Sequence, residues 1–165
     1  MWTVIKFNKN NINLIHKEIN KKLGTDVEIY VPKFLVQKFK KTKLINIELN
    51  LLGDYLFCFH NNFVKEETLH QLKFTKGLKY FLTGFNHSQI EIKNFINQCK
   101  KAENKNGYLN QNFIKLLENT KYRFSSGPFS EKIFKIINLQ KNKIDILLGN
   151  IKTTIKRKDY FFTPL

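Results

Sequence analysis

Cysteine is scarce in this 165-residue chain, and the two that occur, Cys58 and Cys99, cannot build a disulfide framework. Both read as reduced residues of a cytoplasmic protein, with Cys58 inside an apolar strand pattern and expected in a core. Long apolar runs are also missing. No stretch approaches the roughly 18 uncharged apolar residues of a spanning helix, and Met1-Trp2-Thr3-Val4-Ile5-Lys6 shows no basic leader before an apolar run, so neither membrane spanning nor secretion is expected. The four histidines, His16, His60, His70 and His87, have no metal-ligand spacing. A glycine-rich phosphate loop and a Ser or Cys nucleophile motif are absent too, so no catalytic residue, metal or cofactor is assigned.

Acidic residues are few, 13 against 29 Lys and Arg, which gives a formal net charge of +16 and a field attractive to polyanions. Lys, Asn, Ile and Phe are abundant together, as an AT-rich coding sequence would make them, so charge alone does not name a partner. Residues 1–95 carry 15 basic against 8 acidic side chains and residues 113–165 carry 11 against 4, which excludes a dedicated basic tail. With 42% apolar and 14% aromatic residues the chain can fill real cores.

Residues 2–7 read as a short buried strand ending in an Asn-rich turn over residues 8–13. Ile12, Ile15, Ile19 and Leu23 then recur at helical spacing, with Gly24 where a C-terminal cap belongs. Residues 27–31 predict a strand stopped by Pro32. Residues 34–39 and 44–51 predict a hairpin with Lys40-Lys41-Thr42-Lys43 at its tip. Tyr55-Leu56-Phe57-Cys58-Phe59 is nearly all apolar, as a central strand covered on both faces should be. Residues 66–72 predict a helix, 78–82 a strand, and Ser88 caps a last helix presenting Ile92, Phe95, Ile96 and Cys99 on one face. Strands alternating with helices over one sheet give an α+β domain. Residues 99–112, rich in Lys, Asn and Gln, read as a flexible linker, and residues 113–118 are locally helix-like. Short β-branched runs at 133–139, 144–148 and 151–155 then suit a small barrel.

Lys121-Tyr122-Arg123-Phe124-Ser125-Ser126-Gly127-Pro128-Phe129 resembles the strand and Gly-Pro-Phe turn that open a KOW module. Met1-Trp2-Thr3-Val4-Ile5-Lys6-Phe7, an amphipathic helix, a Val-Pro corner and Gly53-Asp54-Tyr55-Leu56-Phe57 precede it in an order similar to the NusG/RfaH family of transcription elongation factors. The likeness covers nearly the whole chain. It implies a ferredoxin-like NGN domain over 1–98, a linker over 99–112 and a small all-β, SH3-like KOW barrel over 113–165. The Asp-Tyr-Leu-Phe wording is closer to RfaH, a specialised paralogue. A second glycine expected shortly after Phe129 is replaced within Ser130-Glu131-Lys132.

The resemblance implies an apolar platform of Trp2, Val4, Phe7, Leu52 and Tyr55 for the β′ clamp helices of a bacterial-type RNA polymerase, with core the alternative for Val4 and Phe7. Thr68 and His70 stand where such proteins touch the β gate loop. Lys38, Lys40, Lys41 and Lys43 would meet phosphates of upstream or non-template DNA, or simply form a solvated loop. Phe129, Leu147, Leu148, Gly149 and Asn150 mark the barrel edge that meets a small-subunit ribosomal protein or the termination factor Rho. The function implied is suppression of pausing and termination by a non-enzymatic factor. A KOW-containing RNA-binding or ribosome-associated protein, with Phe129 and Phe134 on RNA, is the alternative. A nuclease-like set of Asp26, Glu28 and Lys33 is a third.

Overall fold

The computed structural model describes residues 1–8 and 11–165. Lys9 and Asn10, within the expected Asn-rich turn, lie outside the described residues. In chain order the elements are β1 (Trp2–Phe7), α1 (Ile12–Leu23), β2 (Glu28–Tyr30), β3 (Lys33–Lys40), β4 (Lys43–Asn50), β5 (Tyr55–Phe59), α2 (Glu66–Leu72), β6 (Leu78–Phe81) and α3 (Gln89–Ala102). They continue as β7 (Lys121–Phe124), β8 (Ile133–Leu139), β9 (Lys143–Leu148), β10 (Ile151–Lys156) and β11 (Phe162–Pro164). No helix among the described residues is long and apolar enough to cross a membrane.

Two compact units result, one of Met1–Lys33 with Asn50–Lys101, the other of Phe34–Leu49 with Ala102–Leu165. This division differs from the sequence reading of 1–98, 99–112 and 113–165. The β3–β4 hairpin groups with the C-terminal residues, and the stretch read as linker begins inside α3 and continues through a hydrogen-bonded turn in which the Asn104 carboxamide accepts from the Asn106 and Tyr108 amides.

In the first unit the sheet order is β2-β5-β1-β6, with every neighbour antiparallel. Alternation along the two central strands sorts their side chains onto two faces. Ile5, Phe7, Leu56 and Cys58 pack with Ile15 and Ile19 of α1 and with Phe63 and Leu72. Trp2, Val4 and Phe57 pack on the opposite face with Phe85, Ile92 and Ile96. Covering both faces is why Tyr55–Phe59 is so apolar, and burial pushes the Cys58 thiol up to about 12, leaving it unreactive. Gly77, at φ +91, lets the backbone entering β6 pass the start of α1, since a Cβ there would lie 2.9 Å from that of Asn11.

In the second unit five antiparallel strands run in the order β10-β9-β8-β7-β11. Their core is Tyr122, Phe124, Phe134, Ile136, Ile144, Ile146 and Phe162, closed by Leu116. Fully burying each such side chain contributes about 1.5–3 kcal/mol. β11 was not foreseen from the sequence: it is three residues long, and its Pro164 is tolerated because the strand is an edge. The helix-like reading of 113–118 fails. One turn of 3-10 helix, Gln111–Phe113, ends there, and Leu116 turns into the core. β3 docks on the Gly-Pro-Phe turn through Gln37, whose amide donates to the Ser125 carbonyl at 2.7 Å. Its side-chain oxygen accepts from the Gly127 amide at 2.8 Å, and its carbonyl accepts from the Ser130 hydroxyl at 2.8 Å.

Glu131 occupies the left-handed region at φ 72, so the turn keeps the backbone of the missing glycine without its residue. Its amide donates to the Phe124 carbonyl at 2.8 Å, fixing that conformation. A side chain held there is strained by about 1–2 kcal/mol. Glu131→Gly should therefore unfold at or above the wild-type midpoint in a denaturant titration, and Glu131→Val, whose branched Cβ crowds that region further, should unfold below it. A Gly variant that unfolds below the wild-type midpoint would refute the strain.

Candidate functional site

Residues on β1 that face α3 are Trp2, Val4 and Lys6, and the sheet register sets a row of side chains beside each. Val4 lies opposite Phe57 of β5, and its carbonyl accepts the Leu82 amide at 2.8 Å from the end of β6. Lys6 lies between Tyr55 and Tyr80. α3 lies on this face with Ile92, Phe95 and Ile96, the Phe95 ring 5.7 Å from that of Phe57. Gln89 at its first turn binds the strand directly: its side-chain oxygen accepts from the Trp2 amide at 2.9 Å while its nitrogen donates to the Trp2 carbonyl at 2.7 Å. The helix covers the Trp2 end, and the other end stays open.

What remains is a groove of about 490 Å³ lined by Val4, Leu52, Tyr55, Phe57, Leu82, Ile92 and Phe95, with Glu91 its carboxylate. Leu82 is 41% exposed at its rim. A concave, mostly apolar surface with a few polar groups at the edge is the shape of an anchoring site for large side chains. Tyr55 and Tyr80 meet hydroxyl to hydroxyl at 3.2 Å, and the Lys6 ammonium stands 5.2 Å from one ring centroid and 5.7 Å from the other. The hydrogen bond between them lowers the Tyr55 pKa and raises that of Tyr80. Bonding to Tyr55 raises Lys6. The rim thus keeps a charged ammonium against two phenols, an arrangement that also attracts aromatic or acidic groups. A second hollow of about 510 Å³ is lined by Glu66, Leu69 and His70 of α2 and the following Lys73 with Tyr80, Phe81 and Leu82, so Leu82 borders both.

No family model matches the chain, and no curated protein does. Among solved structures it is similar to an MjSpt4:Spt5 complex at 14% identity and TM-score 0.31, over 100% of this chain and 98% of that chain. It is also similar to Thermotoga maritima NusG, a structure of that protein's domain interaction, at 12% identity and TM-score 0.35, over 94% of this chain and 91% of that one. Scores of this size carry no assignment.

Of the platform residues named from the sequence, Val4, Leu52 and Tyr55 line the groove, and Trp2 packs in the same cluster under Phe59. Phe7 does not join them, because its odd position on β1 turns it into the core of the opposite face, fully buried. His70 lines the second hollow and Thr68 does not. Lys38, Lys40, Lys41 and Lys43 are exposed at the tip of the β3–β4 hairpin, whose turn holds Lys41 at φ 57. Phe129 is 41% exposed over Phe124, whereas Phe134, named for stacking on RNA, is buried in the core. Gly149 and Asn150 form the two-residue turn between β9 and β10. Leu148 packs on the core, and Leu147 points from the other face of β9. Glu28 of β2 is ion-paired with Lys100 at 2.7 Å, and no His, Cys, Asp and Glu cluster among the described residues could hold a metal ion. Sequence reasoning missed Phe57, Leu82 and Gln89. The helical stripe of Ile92 and Phe95 was the signal available, but only the sheet register shows which strand positions it leaves uncovered.

Removing the Tyr80 hydroxyl tests the rim. Because that bond is the main cause lowering Tyr55, Tyr80→Phe should move the Tyr55 titration upward, read by NMR of ring-labelled tyrosine. A Tyr55 titration left in place would disprove the coupling.

Proposed function

We propose that this chain is a transcription elongation factor of the NusG/Spt5 type that binds RNA polymerase through the groove between the sheet and α3. The observation that carries this reading is the gathering of Val4, Leu52 and Tyr55, the positions a polymerase-binding platform would use, around one open apolar groove. Binding there and at a second point across the nucleic-acid channel favours the closed, elongating polymerase by mass action. Pausing and termination fall as a result. Trp2 supports the groove floor, and His70, with Thr68 on the same helix, supplies the second contact, the β gate loop.

In this reading the first unit is a ferredoxin-like NGN domain, since its β-α-β-β-α-β path with order β2-β5-β1-β6 is the split arrangement of that fold. The five-stranded sheet of the second unit is its KOW-like module, an RfaH-like variant in wording. Phe129 and the Leu147-Leu148-Gly149-Asn150 turn recruit a small-subunit ribosomal protein or Rho. Lys38, Lys40, Lys41 and Lys43 contact upstream or non-template DNA. The factor works in the cytoplasm, without a cofactor and without catalysis.

The test is binding of the intact chain to a reconstituted bacterial elongation complex. The intact chain is required because β3 carries Phe34 and Val36, each 3% exposed, in the same unit as residues 102–165. Tyr55→Ala and Leu82→Asp should each weaken binding about 10–100-fold, the equivalent of losing one buried anchor. A polymerase with an altered clamp-helix tip should lose binding to the same extent. Wild-type affinity retained by both variants would reject the groove as the polymerase site.

A further inference from the structure

The second unit holds a cavity of about 640 Å³ where three loops converge: the 3-10 turn at Gln111, the β8–β9 turn and the end of β10. Lys141, Lys143, Lys156, Arg157 and Lys158 all line it, and no carboxylate among the described residues does. Asp145 on β9, whose carboxylate accepts from Thr154 at 2.6 Å and Asn138 at 3.2 Å, and Asp159, which follows Lys158, are not among the lining residues.

Two features show that this charge is not incidental to the fold. Lys143 and Lys156 lie directly opposite one another in the β9–β10 ladder, a like-charge pairing that opposes folding. The cavity wall also contains two buried donors without a partner, the Gln111 side-chain nitrogen and the Arg157 Nε. The Gln111 oxygen accepts the Phe162 amide at 2.7 Å, which leaves its nitrogen as the remaining end. Buried donors are costly to leave unmade, and both belong to residues that line the hollow.

We propose that this cavity is a binding site for the phosphodiester backbone of a single-stranded nucleic acid. Several cations in one hollow match successive phosphates, and a flexible strand enters a recess that a rigid duplex cannot. The site is separate from the apolar groove and does not depend on the polymerase reading.

The experiment uses the intact chain without polymerase. Fluorescence anisotropy follows its binding to a short single-stranded RNA, and to the same sequence as DNA, across a salt series. Lys141→Gln/Lys156→Gln/Lys158→Gln, three exposed lysines of the cavity, is compared with Lys17→Gln/Lys21→Gln/Lys101→Gln, three exposed lysines elsewhere. The cavity variant should bind on the order of 10–100-fold more weakly near 0.1 M salt, with the salt slope reduced by about 2, while the control changes little. Its unfolding midpoint should not fall, because the repulsion between Lys143 and residue 156 is gone. The tighter of the two oligonucleotides identifies the strand as RNA or DNA. Equal losses in the two variants, an unchanged salt slope, or no binding by the wild type would each overturn the site.

Discussion

Burial of β1 on both faces is the constraint on which the first unit depends. Ile5 and Phe7 are fully buried toward α1, and Trp2 and Val4 are buried toward α3, so one six-residue strand contributes to two cores at once. Neither helix layer can shift without exposing one of those sets, because a slip of one residue would exchange the faces. Lys6 is the exception in the strand. An ammonium is too costly to bury unpaired, so the face under α3 cannot close at that end. The open groove lies on that face, and Tyr55, the register partner of Lys6, is one of its walls.

The second unit meets the same problem of closing a core with few residues in a different way. Aromatic rings provide most of the volume, Phe124 lying 4.4 Å from Phe134 and 5.5 Å from Phe162. Offset and edge-on packing of such rings adds to the area they bury. The turn after β7 is then clasped by Gln37 through three hydrogen bonds, so the β3–β4 hairpin belongs energetically to residues far from it in sequence. Strain at Glu131 is tolerated there because the surrounding bonds over-determine the turn.

Two surfaces of opposite character emerge, one on each unit. The groove by α3 is apolar with a tyrosine and lysine rim, suited to side chains of a protein partner. The hollow beside β10 is cationic and contains unpaired donors, suited to phosphate. A chain with a net charge of +16 attracts nucleic acid everywhere at low salt, but only a place that concentrates cations can hold a strand in register.

The sequence by itself determined most of the elements, because periodicity and turn chemistry are local. The strand at residues 2–7, the α1 stripe of Ile12, Ile15, Ile19 and Leu23, the hairpin around Lys41 and the runs that became β8, β9 and β10 were all legible. Local pattern misled at 113–118, where apolar residues at helical spacing instead enter a β core, and it was silent about three-residue β11. Part of the groove lining was legible as well: Val4, Leu52 and Tyr55 were named, but Phe7 could be separated from them only by knowing which face of β1 meets which helix. Phe57, Leu82 and Gln89 joined the site through register and helix placement. The cationic hollow was invisible for the same reason, since Gln111, Lys141 and Arg157 are neighbours only after three loops meet. Contacts between residues far apart in the chain follow from packing, and only the tertiary structure decides them.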